Sequence, residues 1–180
     1  MRTLIGITGS VAATLAPKLV SAVAELGAVE VVATKASLYF FKPADLPVPV
    51  LLDEIEWPGT AYVKGQRIPH VLLRDCADVL LIAPLTADTL AKLAHGRADN
   101  LLTAVVRAWD MKKPLVLAPA MNTKMWEHPA TAEHLATLKR WYGDALHVIP
   151  PVSKMLACGD EGMGAMAPIE TIVEALRSLE

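Results

Sequence analysis

Three stretches of the chain are apolar almost without a break: "TLIGIT" from Thr3, "DVLLIAP" from Asp78 and "PLVLAP" from Pro114. A strand with one face in water alternates apolar and polar residues, so continuous runs belong to strands covered on both faces. Each run is strand-length and falls well short of the roughly 20 residues that a membrane-spanning helix needs. Between them the apolar period changes to that of helices, in "AATLAPKLVSAVAEL", "TADTLAKLAHG", "DNLLTAVVRAW", "TAEHLATLKRW" and "PIETIVEALRSL". "VEVVAT" and "ALHVIP" read as shorter strands, and "KASLYFF" and "HVLLRDCA" as short helices. Strands alternating with helices predict an α/β domain built on a central parallel sheet, with helices on both faces.

Some places resist this pattern. Pro17 sits inside the first helical stretch and disturbs its first turn. From Lys42 to Pro69 the periodicity fades among five prolines, which predicts a long connection with one edge strand at "VPVLLDEIEW". The N-terminal apolar segment is interrupted at Thr8, Gly9 and Ser10, which suits a first strand better than a signal peptide. No internal repeat or linker divides the chain, so residues 1–180 are expected to form one domain.

With 180 residues and 53% apolar content, the chain can bury a sizeable core and leave apolar surface for subunit contacts. A net charge of −2 argues against nucleic acid as a partner, because no basic patch is present to neutralise phosphates. The two cysteines, Cys76 and Cys158, make neither a disulfide framework nor a zinc site, so a reducing, cytoplasmic setting is expected.

The main strands end in small or polar clusters: Thr8-Gly9-Ser10, Thr34-Lys35-Ala36-Ser37, Ala83-Pro84-Leu85-Thr86, Ala118 through Asn122, and Pro150-Pro151. In a parallel sheet these clusters share one edge, outside the carboxyl ends of the strands, where ligands sit. Hydroxyls and backbone N–H groups gathered there make a cradle for a phosphorylated cofactor. Each cluster alone also reads as turn chemistry: Ser10 as a helix N-cap, and Thr86 and Thr89 as a helix start. The chain has no GxGxxG and no GxxxxGK[ST].

Of the five histidines, His95, His128, His134 and His147 lie in helix, helix-start or strand patterns, with no zinc spacing among them. His70 opens a periodic segment after Pro69, as a helix-start or surface residue or as a catalyst. Cys76 sits in a helical apolar pattern and is expected in the core. Cys158 lies among Gly159, Gly162 and Gly164, which read as a mobile flap carrying either a reactive thiol or an incidental one.

Taken together the motifs resemble a known family. "PAMNTKMW" followed by "HP" is similar to the PAMN signature of the homo-oligomeric, flavin-containing cysteine decarboxylases. "HVLLRDCADVLLIAPLTADTLAKLAHGRADNLLT" resembles that family's histidine motif and flavin loop, and "GSVAA" also fits. "LACGDEGMGAMA" resembles the clamp with which family members hold a phosphorylated pantothenoylcysteine. These blocks follow the family's order over nearly the whole chain.

The resemblance implies a flavodoxin-like, Rossmann-type sheet, bound FMN, and a homotrimer with flavin near a subunit interface. The implied activity is decarboxylation of 4′-phosphopantothenoylcysteine to 4′-phosphopantetheine and carbon dioxide, in coenzyme A synthesis. Loss of carbon dioxide from a cysteine carboxylate leaves a carbanion with no electron sink. A flavin removes a hydride from the carbon bearing sulfur first, and the resulting thioaldehyde accepts those electrons. The resemblance gives His70 the role of base and Cys158 that of proton donor. It assigns substrate contacts to Asn122, Met121, Ala157 and Met166. Flavin contacts fall on Gly9, Ser10, Val11, Thr34, Ser37, Thr86, Ala87, Asp88, Thr89 and Ala120.

Two positions depart from the pattern. Asp88 stands where the family's flavin loop usually has Asn, which exchanges amide donors for a negative charge beside a phosphate. Ala165 stands where a basic residue is common in the clamp. Two other readings use the same flavin site: a non-catalytic regulatory flavoprotein, and a decarboxylase of peptides ending in cysteine. The presence of His70, Asn122 and Cys158 together favours an enzyme, and the clamp favours the small substrate.

Overall fold

A computed structural model describes residues 1–57, 59–61, 63–155 and 161–179. Its centre is a six-stranded, wholly parallel sheet: β1 (Arg2–Ile7), β2 (Ala28–Ala33), β3 (Val50–Leu51), β4 (Val79–Leu85), β5 (Leu115–Pro119) and β6 (Leu146–Val148), in the order β3-β2-β1-β4-β5-β6. The apolar runs in β4 and β5 are buried along their whole length, as strands covered on both faces must be. Successive side chains point to opposite faces, and the core divides accordingly. Ile5 and Leu81 pack with α1 (Ala16–Ala24) and α7 (Ile169–Arg177) on one side. Leu4, Leu80 and Ile82 face the other side, with α2 (Pro69–Cys76), α3 (Ala87–Ala94), α4 (Leu101–Ala108) and α6 (Pro129–Tyr142).

The strand order decides where a ligand can sit. From β1 the chain steps outward to β2 and β3, then returns to lay β4 on β1's other side. The loops leaving β1 and β4 therefore diverge, and a crevice opens between them at the carboxyl edge of the sheet. One buried side chain ties the two strand ends together. Thr8 Oγ1 donates to Pro84 O at 2.7 Å and accepts from Thr86 N–H at 2.9 Å.

Several local expectations need correction. Pro17 does not merely disturb a long helix: residues Val11–Leu15 form a 3-10 turn and α1 starts at Ala16, which places the proline where its missing N–H costs nothing. Cys76 is exposed, not in the core. The inward face of α2 is set by Leu73 and, one turn on, Ala77, and Cys76 falls outside that stripe. The edge strand expected in the proline-rich connection is the two-residue β3.

The glycine-rich segment forms a second, antiparallel sheet, β7 (Val152–Met155) with β8 (Glu161–Ala165), around residues 156–160. Its glycines serve close packing. Gly164 has φ +145°, and a Cβ there would come within 2.2 Å of Met121 O. Its carbonyl accepts from Met121 N–H at 2.9 Å, which docks the hairpin on the loop after β5. Among the described residues no helix is long and apolar enough to cross a membrane.

Candidate functional site

A cleft of about 540 Å³ lies at the carboxyl edge of the sheet, over the point where the strand order reverses. That volume is within the roughly 300–1,000 Å³ range of small-molecule sites. Loops from four strands line it: Gly9 and Ser10 after β1, Thr34 after β2, Thr86 through Thr89 after β4, and Ala120 and Met121 after β5. Nine of the residues that the sequence marked as cofactor or substrate contacts thus meet in one place.

Local chemistry explains each placement. Ser10 caps the 3-10 turn by accepting from Ala12 N–H at 3.3 Å. Gly9 lets two loops touch, since a Cβ there would lie 2.7 Å from Ala36 Cβ. Thr86 is the N-cap of α3: its Oγ1 accepts from Thr89 N–H at 3.3 Å and donates to Thr89 Oγ1 at 3.2 Å. The first-turn amides of α3 have no intrahelical acceptor, so this end of the cleft favours an anion. The reading of Ser10 and Thr86 as caps is seen here, and both capping residues also line the cleft.

Other marked residues stand apart from the lining. Ser37 is fully buried and donates its hydroxyl to Thr34 O at 2.7 Å, which steadies the loop after β2. Val11 is 51% exposed, and Met166 is buried in the core below. Asn122 follows Met121 as the N-cap of α5 (Thr123–Trp126), and its Oδ1 accepts from Lys124 N–H at 2.9 Å. That bond fixes the amide's orientation and makes the NH₂ end the donating end. Ala157 and Cys158 lie outside the described residues.

His70 opens α2 just after Pro69 and borders a neighbouring cavity of about 420 Å³. The two spaces share Asp53, Asp99 and Asn100 in their walls. Its partner is Glu56, a residue that nothing in the sequence had marked. Glu56 Oε2 accepts from His70 N–H at 3.2 Å, and Glu56 Oε1 accepts from His70 Nδ1–H. The carboxylate therefore accepts the α2 first-turn N–H of His70, fixes the imidazole's tautomer and leaves Nε2 as the unprotonated ring nitrogen. Glu56 is only 10% exposed, so this pair is well shielded.

Charged groups that the sequence left unmarked also border the cleft. Lys92 Nζ lies 3.3 Å from both Asp88 Oδ2 and Asp99 Oδ2. Burial works against the Lys92 charge, but hydrogen bonds to Asp99 and Asp88 outweigh it and raise its pKa. Burial likewise opposes ionisation of Asp99, and Lys92 overrides it, holding the carboxyl below its ordinary range. Asp53 Oδ1 accepts from Leu101 N–H at 2.9 Å and, with Asn100, secures the start of α4. The concern that Asp88 repels a phosphate thus meets a compensating cation one turn along α3.

Comparison with known proteins agrees with this geometry. The profile of the Flavoprotein family matches residues 1–179. Phosphopantothenoylcysteine decarboxylase of Mus musculus is 48% identical over 180 residues, covering 99% of this chain and 86% of the relative. A solved cysteine-to-serine variant of PPC decarboxylase, complexed with pantothenoylaminoethenethiol, superposes with a TM-score of 0.93 at 45% identity, covering 99% of this chain and 97% of that one. The FMN binding protein AtHal3 superposes with a TM-score of 0.89 at 46% identity, covering 99% and 95%. A hydroxyl-lined switch-point cleft, a PAMN loop and near-complete coverage converge on one conclusion: this chain belongs to the Flavoprotein family, among the phosphopantothenoylcysteine decarboxylases.

Proposed function

We propose that the chain, acting as one domain over residues 1–180, is an FMN-dependent decarboxylase that converts 4′-phosphopantothenoylcysteine to 4′-phosphopantetheine and carbon dioxide. The carrying observation is the single cleft that gathers Gly9, Ser10, Thr86 through Thr89, Ala120 and Met121 at the sheet's switch point. Its hydroxyls and the start of α3 suit the phosphate and ribityl chain of FMN, and the small Ala120 leaves room for a flat ring. When bound, the flavin supplies two-electron chemistry that no side chain can offer.

The protein's own work is to bind, orient and move protons. Asn122, held by its cap, directs amide donors at the substrate carboxylate, while Met121 covers the reacting end. His70, aligned by Glu56, takes a proton at Nε2. Cys158 is the residue proposed to return a proton to the product. In one chain His70 borders the cavity beside the cleft, and large apolar residues near it are exposed: Trp57 at 80% and Ile68 at 47%. Such a patch calls for a cover, and a homotrimer that brings it against a neighbour's cleft supplies one. A cytoplasmic site of action suits the substrate and the exposed free thiol of Cys76.

The test is carbon dioxide release from phosphopantothenoylcysteine by purified protein without added nicotinamide. Wild-type protein is expected to turn over. Cys158→Ser is expected to release carbon dioxide and accumulate an oxidised, unsaturated product. Failure of the wild type to release carbon dioxide overturns the proposal, and normal product from Cys158→Ser overturns that residue's role.

A further inference from the structure

The cofactor cleft has an unusual charge balance for a site that takes a phosphorylated ligand. Two cations, Lys35 and Lys92, line it against three carboxylates, Asp53, Asp88 and Asp99. Asp53 is engaged with Leu101 N–H at the start of α4. Asp88 lies in the first turn of α3, the end of the cleft where an anion is favoured, and its side chain is 75% exposed. A bare carboxylate there repels a phosphate.

Lys92 addresses this directly. It sits one turn after Asp88 on the same helix face, with its side chain 24% exposed. Its ammonium is 3.3 Å from Asp88 and 3.3 Å from Asp99, which anchors it from the far side through the turn before α4. Asp99 is also 3.5 Å from Arg97, so the cluster is a short ion-pair network and not an isolated surface pair. Such networks hold their geometry better than single exposed pairs. With Arg97 also on Asp99, Lys92 supplies the charge that balances Asp88, and the phosphate is left to Lys35, hydroxyls and backbone N–H groups.

We propose that Lys92 is a positioning residue that sets cofactor choice: by balancing the charge of Asp88, with Arg97 offsetting Asp99, it lets the cleft accept a flavin bearing a phosphate in preference to one without it. The inference rests on the flavin reading of the cleft given above. It concerns one feature of the ligand, its charged end, and leaves the ring's seat unchanged.

The experiment measures dissociation constants of flavin-stripped protein for FMN and for riboflavin, by quenching of flavin fluorescence. Lys92→Met is expected to weaken FMN about tenfold or more and riboflavin less than about twofold, since only FMN carries the charge that an uncompensated Asp88 repels. Lys92→Arg is expected to keep wild-type selectivity, and Asp88→Asn in the Lys92→Met background to regain most of the lost FMN affinity. Lys92→Gln, with the same expected outcome, replaces the Met variant should the latter unfold. Equal losses for both flavins, or no recovery with Asp88→Asn, overturns this inference and leaves the flavin reading standing. Wild-type protein that takes up neither flavin overturns both.

Discussion

Glu56 gives the sharpest test of how the proposed site is organised, because it touches the imidazole proposed as the base and does not line the switch-point cleft. Its carboxylate accepts two hydrogen bonds from His70, one from the backbone N–H at 3.2 Å and one from Nδ1–H, and is 10% exposed. A bond to a charged acceptor contributes about 1.5 kcal/mol or more. Losing both in Glu56→Ala therefore costs about 3 kcal/mol, or roughly 6–12 °C in Tm for a chain of this size. Glu56→Gln keeps an acceptor and the volume, so its stability loss is about half of that. Its effect on catalysis is larger, because the neutral amide no longer fixes the tautomer that frees Nε2. We expect kcat to fall roughly 10–100-fold, the scale on which functional imidazoles respond to loss of an orienting partner.

His70→Asn is expected to cost about 10²–10⁴-fold, the usual reach of a positioned general base. Since Glu56 acts only through His70, the double variant should be no slower than His70→Asn alone. Single-turnover carbon dioxide release, with flavin absorbance recorded on the same samples, measures all of this. Wild-type kcat in Glu56→Gln, or multiplicative losses in the double variant, refutes the reasoning.

Other outcomes follow from the same geometry. Gly164→Ala puts a Cβ 2.2 Å from Met121 O at a φ of +145°, and strain of this kind costs about 1–3 kcal/mol before the clash is counted. Its hairpin is expected to undock from the 121–123 loop, raising KM for substrate while flavin stays bound. Thr8→Val removes the hydroxyl shared by Pro84 O and Thr86 N–H, leaving Thr86 N–H without its acceptor and Pro84 O with only the Thr8 backbone N–H at 3.3 Å. A loss of roughly 1–3 kcal/mol in urea unfolding and weaker flavin binding are expected. Asp99 is held below its ordinary 3.8 by Lys92, so its folded pKa lies under its unfolded one. Its contribution to stability is present above the ordinary carboxylate range and is lost as pH falls through the folded value. Lys92→Met should flatten the fall in urea midpoint between about pH 5 and pH 2.

The parts of this architecture that a sequence displays are those governed by local pattern. The runs around Ile5, Leu81 and Leu117 are buried on both faces, and such strands carry their assignment in a few consecutive residues. Once the sheet is parallel, the residues that follow its strands must converge, so Gly9, Thr86 and Ala120 were identifiable without coordinates.

What escaped is set by contacts between distant segments. Glu56 reads as one more acid in a proline-rich connection, and its meaning arises from a partner 14 positions away. Gly164 reads as freedom in the sequence, whereas in the fold it meets a backbone oxygen of the Met121 loop. Cys76 was misjudged for a related reason. Apolar neighbours placed it in the core, but helix phase decides which way a side chain turns. Lys92 escaped because its two carboxylates lie on either side of a turn.

The central claim is that the switch-point cleft holds a flavin without which the reaction does not proceed. The most direct measurement pairs the visible absorption spectrum of the purified chain with carbon dioxide release from phosphopantothenoylcysteine, before and after the flavin is stripped and FMN is added back. The account predicts bound flavin, no carbon dioxide from stripped protein, and recovery of both signals with about one FMN per chain. A colourless chain that neither takes up FMN nor needs it to decarboxylate the substrate would contradict it.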